Sequence, residues 1–587
     1  MTCPVNPASE DYADFIHRYG SEAGLSDFFQ ENIACSDFAF PGYSILYIPS
    51  ELILPLSLEK YPYYSIPKLY TTMDTSALDT SGISTASAQP ALGSKGRGTI
   101  IGFIDTGIDY RNPVFQNPNG TTRILGIWDQ TLPSPSNIPW PEDSSENPPI
   151  QYGTFFTREQ INEALASSSP LAAVPSTDTD GHGTFLAGVA AGSPIPEQDF
   201  SGAAPEAAIA AVKLKPAKRY LREFFCVPEN AAAFQENDII MGIRYLILLS
   251  QQYRMPLTIC LGLGTNSGSH EGTSPLSQAL RYIGQYVGIC VVTAAGNETG
   301  LSHHYVGSVS SSSVPDEIAI RVGSGETGFV TELWASTPEL YTVGFVSPSG
   351  EEIERIPLTL GSNASVSFLL EPTVITVYYR PHEIDSGKQL IFFRFFNPSP
   401  GEWRIRVYSS QILNGDFHMW LPAEGFISPE TVFLTPNPNT TITGPGDASA
   451  VITAAAYNHL NGSIGIHSGR GYTLDGRIKP DIAAPGVDVF GPGQIPEAAY
   501  RRGISPASIP MTRKTGTSIA AALTAGAVAS LLSWGIVWNN DPGMSEAAIR
   551  SYLIRGADRN RAFTFPNREW GYGSLNLYNT FLWLREL

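Results

Sequence analysis

The middle of the chain alternates short apolar runs with a longer amphipathic run. Four runs rich in β-branched residues indicate buried strands: TIIGFI (99–104), AAIAAVKLK (207–215), LTICLGLG (257–264) and VGICVVTAAGN (287–297). ENDIIMGIRYLILLSQQ (236–252) has the length and pattern of a helix. Buried strands that alternate with helices are typical of a parallel sheet covered by helices on both faces. We therefore predict an α/β fold from residue 99 onward.

The pattern changes between about 308 and 447, where helical periodicity is weak. Short alternating strands follow one another there, broken by Pro, Gly and Asn turns, among them ELYTVGFVSP, VITVYYR, LIFFRFFNP and EWRIRVYSS. Regularly spaced short strands indicate a β-sandwich or jelly roll. The α/β pattern resumes at AVITAAAYN (450–458), so this β unit is predicted to be an insertion.

The first 75 residues form a separate small unit by pattern. YSILYIPSELILPLSLEKY mixes strand-like and helix-like pieces, and the Ser- and Thr-rich LYTTMDTSALDTSGIS that follows indicates an exposed linker. With 587 residues the chain is too long for one ordinary domain. We predict a small α+β unit at 1–75, an α/β domain in two parts at 76–307 and 448–587, and the inserted β domain at 308–447.

The net charge of −19 argues against nucleic acid as a partner, since phosphate binding needs a basic face. The N-terminus MTCPVNPASEDYADFIHRYG has neither the basic nor the apolar region of a classical secretion signal. No stretch approaches the ~20 uninterrupted apolar residues of a spanning helix, so no membrane span is predicted.

The five cysteines are scattered and odd in number, which favours buried free thiols in a reducing compartment. No CxxC or HExxH spacing supports a metal site. The loop SPIPEQDFSGAAPE (193–206) lacks a pattern of oxygen ligands for calcium. We therefore predict no cofactor and no metal.

Three short segments carry candidate catalytic side chains. They are FIDTGID around Asp105, DGHGTFLAG around His182 and TGTSIAAA around Ser518. Serine is a poor nucleophile that needs a base, and the base needs a group that fixes its tautomer. The order Asp, His, Ser along the chain is that of subtilisin, not of chymotrypsin or the α/β-hydrolases. The three segments together predict hydrolysis of peptide bonds by an activated serine.

Each segment also has a plain structural interpretation. Ser518 could be an ordinary helix N-cap, and Asp105 could be a turn residue at a strand end. His182 is the one histidine of nine with glycine on both sides, which suits a crowded site. DTG also occurs in aspartic proteases, but these need two carboxylates, and no convincing second Asp follows a buried strand.

Acyl transfer also needs hydrogen-bond donors for the developing oxyanion. Asn297 in VVTAAGNE is the candidate side-chain donor, and the backbone N–H of Ser518 is the second. The alternative is an asparagine in a strand-end turn.

The four segments together resemble the subtilisin-like serine proteases (subtilases) over about 95–306 and 448–545. IKPDIAAPG (478–486) matches a further segment of that family. The resemblance implies that Asp105, His182 and Ser518 are catalytic and that Asn297 serves the oxyanion. It also implies that Gly262, Leu263 and Gly264 form a strand wall that pairs with the backbone of an extended peptide substrate.

The long β insert, its stretch WRIRVYSSQILNGDFHMWLP and the REQINEAL helix resemble the Csp-type germination proteases of spore-forming Firmicutes. That resemblance implies that residues 1–75 are a chaperone-like and inhibitory prodomain, which the enzyme itself removes near Asp74–Ala77. The substrate would be a protein precursor, such as that of a spore cortex-lytic enzyme, in the cytoplasm or the spore. Two alternatives stay open: a catalytically silent pseudoprotease in binding or signalling, and a general intracellular subtilase unrelated to spores.

Overall fold

The computed structural model describes residues 6–19, 32–72, 79–89, 92, 95–133, 149–358, 363–500 and 504–585. The predicted processing junction at Asp74–Ala77 lies outside the described residues. The predicted domain boundaries at 75/76, 307/308 and 447/448 stay predictions.

The N-terminal unit is built on a three-stranded antiparallel sheet. Its elements are strands β1 (Tyr12–Arg18), β2 (Cys35–Phe40) and β3 (Tyr43–Pro49), helix α1 (Ser50–Ile53) and the separate strand β4 (Leu69–Thr72). β3 lies in the centre, between β1 and β2. Ile45 and Tyr47 of β3 pack on one face of this sheet, and Leu46 and Ile48 pack on the other, so both faces are covered.

The prediction that all cysteines are free thiols was wrong for Cys35, which is disulfide-bonded. Cys226, Cys260 and Cys290 are free. Scatter along the sequence was a poor guide, since folding brings residues together whatever their separation in the chain.

The first part of the α/β domain alternates strands and helices. The strands are β5 (Ile100–Asp105), β6 (Ile124–Asp129), β7 (Thr154–Thr157), β8 (Ala208–Lys213), β9 (Phe234–Gln235), β10 (Leu257–Leu261), β11 (Leu263–Gly264) and β12 (Ile289–Ala294). The helices are α2 (Ile83–Ser87), α3 (Arg158–Ala166), α4 (Pro170–Ala173), α5 (His182–Ala191), α6 (Arg219–Phe225), α7 (Glu236–Tyr253) and α8 (Pro275–Ile283).

The insertion consists of two antiparallel sheets that share one apolar core. Its strands are β13 (His304–Ser308), β14 (Asp316–Val322), β15 (Gly328–Ala335), β16 (Leu340–Val346), β17 (Glu352–Ile356), β18 (Asn363–Ser367), β19 (Val374–Arg380), β20 (Gln389–Phe396), β21 (Gly401–Gln411), β22 (Asp416–Trp420) and β23 (Val432–Phe433). One sheet has the order β13-β22-β15-β20-β19-β18 and the other β17-β16-β21-β14-β23. Side chains from both sheets fill the core between them, which makes this unit a β-sandwich.

The second part of the α/β domain completes the main sheet. It contributes strands β24 (Ile452–Asn458), β25 (Ser463–Ile464), β26 (Ile482–Pro485), β27 (Val489–Pro492) and β28 (Met511–Lys514), and helices α9 (Glu497–Tyr500), α10 (Thr517–Leu532), α11 (Glu546–Gly556) and α12 (Leu577–Leu584). In the described residues the main sheet has the order β25-β24-β12-β10-β5-β8-β6-β7, and β26 pairs with β24. β7 and β25 pair antiparallel at the edges, and the other strands run parallel.

Both faces of this sheet are covered by helices, as predicted. On β5, Ile101 and Phe103 pack with α5 and α10, while Ile100 and Ile104 pack with α7. Every residue of α10 is buried, which explains why it is apolar on all sides. Together with the turn at Ser533–Val537, this helix is apolar and long enough to cross a membrane, but 89% of its most apolar window is buried inside the protein. Helix α10 therefore lies inside the apolar core of the α/β domain.

Candidate active site

The three predicted catalytic residues lie at the carboxyl end of the sheet. Asp105 is the last residue of the central strand β5, His182 is the first residue of α5, and Ser518 is the second residue of α10. All three are buried. Ligand sites of open α/β sheets lie beyond the carboxyl ends of the strands, so the location agrees with the topology.

The structure brings Asp105, His182 and Ser518 into one continuous chain of contacts. Nδ1 of His182 lies 2.7 Å from Oδ1 of Asp105, and Nε2 of His182 lies 3.2 Å from Oγ of Ser518. A carboxylate can only accept, so the Nδ1–H of His182 donates to Asp105. Nε2 is then left as the acceptor that faces the hydroxyl of Ser518.

A second carboxylate, Asp178, holds the loops that carry Asp105 and His182. It accepts hydrogen bonds from the backbone of Gly181 and Thr184, both at 2.8 Å, and from the hydroxyl of Thr184 at 2.7 Å. The hydroxyl of Thr106, next to Asp105, lies 2.9 Å from Asp178. Burial raises the pKa of Asp178, while these hydrogen bonds favour its charged form.

Sequence reasoning missed Asp178 and Thr106, although a signal for Asp178 was present. It lies four residues before His182, where a carboxylate can accept from the first N–H groups of a helix.

The glycines on both sides of His182 have separate physical reasons. Gly181 precedes α5 with φ of 85°, in the left-handed region that favours glycine. A Cβ at position 183 would run into the carbonyl oxygen of Gly107 and the side chain of Asp105. The first glycine allows the chain to turn, and the second allows α5 to approach β5 closely.

Asn297 lies just beyond β12, with its amide fixed by the residue that precedes Ser518. Its Oδ1 accepts from the backbone N–H of Thr517 at 3.1 Å and from the hydroxyl of Thr517 at 3.0 Å. Because Oδ1 accepts both of these hydrogen bonds, the amide is oriented with Nδ2 as its donor. The N–H of Ser518 belongs to the first turn of α10, where backbone N–H groups have no partner within the helix. Sequence reasoning missed Thr517.

Gly262–Gly264, the predicted wall, begins beside the catalytic residues. A Cβ at position 262 would lie 3.0 Å from Cβ of Ser518 and 3.3 Å from Cε1 of His182. β11 pairs antiparallel with β4 of the N-terminal unit, with Leu263 opposite Thr72 and Gly264 opposite Thr71.

The other edge of β4 pairs with β9, with Leu69 opposite Gln235 and Tyr70 opposite Phe234. An extended strand therefore lies between two strands of the α/β domain and leads towards Ser518. The second wall, β9, was not predicted from the sequence.

Among the described residues, no group of three or more His, Cys, Asp or Glu side chains has the arrangement of a metal site. The side chains brought together here are a serine hydroxyl, an imidazole, a carboxylate and a primary amide.

The chain matches the Subtilase family over residues 96–357 and 425–573. The solved structure of the Clostridium perfringens CspB protease is similar, with 29% identity and a TM-score of 0.74, over 86% of this chain and 97% of that one. Two curated Arabidopsis thaliana relatives, the subtilisin-like proteases SBT2.3 and SBT2.2, are 35% and 34% identical over 133 and 105 residues. These matches cover 20% and 17% of this chain, but only 15% and 11% of the relatives. The chain belongs to the subtilase family of serine proteases.

Proposed function

We propose that this chain is a serine endopeptidase whose catalytic residues are Asp105, His182 and Ser518. The observation that carries the proposal is the unbroken line of contacts from Asp105 through His182 to Ser518. Oγ of Ser518 attacks the carbonyl carbon of the substrate while Nε2 of His182 accepts its proton. Asp105 stabilises the imidazolium, which then donates that proton to the leaving amine.

The oxyanion that forms on the substrate carbonyl is stabilised by two donors. These are Nδ2 of Asn297 and the backbone N–H of Ser518, and the contacts of Asn297 with Thr517 support the assignment. Donors fixed in advance are worth most because they need no reorganisation when the charge develops.

The substrate binds as an extended strand along Gly262–Gly264. The support is that β4 already occupies this position, paired with β11 on one edge and with β9 on the other. Recognition through backbone hydrogen bonds accepts many sequences, and side-chain pockets then select among them.

A serine-reactive fluorophosphonate probe tests the catalytic assignment. We expect the wild type to be labelled at Ser518 and to cleave a fluorogenic peptide, and Ser518→Ala to lose both properties. The control is Ser463→Ala, which removes an exposed serine on β25 and is expected to be labelled like the wild type. Labelling of Ser518→Ala equal to that of the wild type would disprove the assignment.

We propose further that the N-terminal unit is a prodomain that the enzyme removes from itself, with the cut among the residues that directly follow Thr72. The antiparallel register that leads β4 towards Ser518 supports this location. Mass spectrometry of the purified wild type is expected to find a new N-terminus within 73–78, while Ser518→Ala stays intact. Identical processing of both proteins would assign the cut to another protease.

We also propose that the processed enzyme activates a protein precursor, such as that of a spore cortex-lytic enzyme, in the cytoplasm or the spore. The similarity to the CspB protease of Clostridium perfringens supports this proposal. The test incubates the enzyme with that precursor and, in parallel, with an unrelated unfolded protein. We expect one defined cut in the precursor and slower, dispersed cleavage of the unfolded protein. Equal digestion of the two would indicate a general protease without a dedicated precursor.

A further inference from the structure

Glu298 directly follows Asn297, and its side chain is buried, with 3% exposure. Its carboxylate accepts three hydrogen bonds. Oε2 accepts from Nδ1 of His303 at 2.7 Å and from Nδ2 of Asn266 at 2.9 Å, and Oε1 accepts from the backbone N–H of Glu424 at 3.0 Å. A carboxylate buried without such partners would be strongly unfavourable, so these contacts determine where it lies.

The three donors belong to three different parts of the chain. Asn266 lies two residues beyond β11, at the end of the substrate wall. His303 directly precedes β13, the first strand of the β-sandwich, and Glu424 follows β22. One carboxylate thus joins the loop of Asn297 to the substrate wall and to two segments of the insertion.

The partners of Glu298 are themselves held in a packed interface. The carbonyl oxygen of Asn266 lies 3.1 Å from Nε2 of His270. The ring of His270 stacks on that of Trp420 with 4.0 Å between centroids, and His304 stacks on Trp420 at 4.7 Å. The stacked rings come from both domains and pack the wall against the sandwich, so the partners of Glu298 lie in a close-packed interface.

Other contacts hold the residues around Asn297 through the backbone. The N–H of Gly469 donates to the carbonyl of Gly296 at 2.7 Å, and the N–H of Thr299 donates to that of His467 at 3.2 Å. These contacts do not involve the side chain at position 298. A substitution there is therefore expected to loosen the loop and not to unfold it.

We propose that Glu298 is a positioning residue that holds Asn297 where the oxyanion forms, so that the inserted β-sandwich supports the chemical step. This inference rests on the proposed function of Asn297. Its physical basis is that a displacement of about 1 Å in an active site can cost on the order of 100-fold in rate. The insertion thus contributes to catalysis without touching the substrate.

A double-mutant cycle with Asn297 tests this role. The substrate is a fluorogenic peptide with the sequence of residues 67–78, PKLYTTMDTSAL. We expect Glu298→Gln to lower kcat about 10- to 100-fold with little change in KM, because the lost interaction acts in the transition state. In the Asn297→Ala background the same substitution is expected to have almost no further effect, since the donor that it positions is gone.

Two further variants complete the experiment. Glu424→Gln changes an exposed carboxylate but keeps the N–H that contacts Glu298, and it is expected to behave like the wild type. His303→Ala removes one of the three donors and should give a smaller fall in kcat, which provides a second cycle if Glu298→Gln does not fold. Equal losses in both Asn297 backgrounds, or a change in KM alone, would overturn the proposal. A wild type without activity or probe labelling would instead refute the proposed function on which it rests.

Discussion

Side chains next to the proposed nucleophile and base also shape the site, and Thr517 is the clearest example. Its hydroxyl accepts from the N–H of Gly296 at 3.1 Å and donates to Oδ1 of Asn297 at 3.0 Å. One hydroxyl therefore ties the end of β12 to the start of α10. Together with the backbone N–H of Thr517, it holds Oδ1 of Asn297 as an acceptor, which leaves Nδ2 as the donor.

Thr517→Val keeps the shape and the backbone N–H but removes this hydroxyl. We expect kcat to fall about 10-fold with KM nearly unchanged. The loss should be smaller than the roughly 10²–10³-fold fall in kcat that follows removal of an oxyanion donor, because Asn297 is still present. Steady-state kinetics measures both constants. Thr524→Val is the control, because it removes another buried hydroxyl of α10, which donates to the carbonyl of Ala520 in the same helix. A similar loss in both variants would contradict the role given to Thr517.

At the scale of elements, the proposed substrate wall approaches α5 and α10 closely at Gly262. A Cβ at position 262 would lie 2.7 Å from Cδ1 of Leu186 in α5 and 3.0 Å from Cβ of Ser518 in α10. Only a glycine leaves room for a strand at this point. The wall and the nucleophile therefore depend on each other's position.

Gly262→Ala is expected to displace the wall, Ser518 or both. Cleavage of the peptide should fall by about 100-fold, because the reacting groups lose their alignment. The control is Gly543→Ala, since a Cβ there meets nothing closer than 4.0 Å. Full activity of Gly262→Ala would show that the wall yields without disturbing the nucleophile.

The stability of the packing between the N-terminal sheet and α7 is expected to depend on pH. Asp37 of β2 accepts from the hydroxyl of Tyr47, and burial raises its pKa to about 7, although Arg244 of α7 opposes the shift. The folded pKa lies above the unfolded value of 3.8, so the folded protein binds this proton more tightly. The stabilisation is complete below the unfolded pKa and is lost as the pH rises through about 7.

Asp37→Asn removes this titration while keeping an acceptor for Tyr47. We expect the stability advantage of the variant over the wild type to grow as the pH rises from the unfolded pKa of 3.8 to the folded pKa of about 7, since each pKa unit is worth about 1.4 kcal/mol. Thermal unfolding of both proteins across that range measures the difference. Parallel curves for the two would show that Asp37 does not titrate in this interval.

At the scale of the whole molecule, three parts of the chain share one apolar core. It combines Phe15 and Tyr64 of the N-terminal unit, Phe224 of the α/β domain, and Trp334 and Phe392 of the β-sandwich. Polar contacts reinforce this core. The hydroxyl of Tyr63 donates to Glu332 of the sandwich at 2.7 Å. Cutting the chain after Thr72 would break none of these contacts, so we expect the N-terminal unit to remain bound after processing.

Removal of the buried ion pair between Asp14 and Lys218, whose charged atoms lie 2.7 Å apart, tests whether the N-terminal unit stays bound. Asp14→Ala leaves Lys218 buried without its charge partner, which costs about 3–5 kcal/mol. In size-exclusion chromatography of the processed wild type, we expect the N-terminal unit to coelute with the rest of the enzyme. In processed Asp14→Ala, we expect the unit to elute separately. Arg219→Ala, next to Lys218, removes an exposed pair with Glu223 and should change little, since such pairs contribute at most about 1 kcal/mol. Separation of the wild type would disprove retention.

The sequence by itself determined the sheet with helices on both faces, the β insertion and the identity of the candidate catalytic residues. These features depend on local patterns, since β-branched runs, the glycines around His182 and the small residues after Ser518 each report their own surroundings. Only the tertiary structure decided which distant segments of the chain are in contact. It showed that β4 lies between β9 and β11, that Asp178 and Thr517 hold the site, that Cys35 is disulfide-bonded and that Glu298 reaches the β-sandwich. Such contacts join residues with no shared periodicity, and their geometry exists only once the chain is folded.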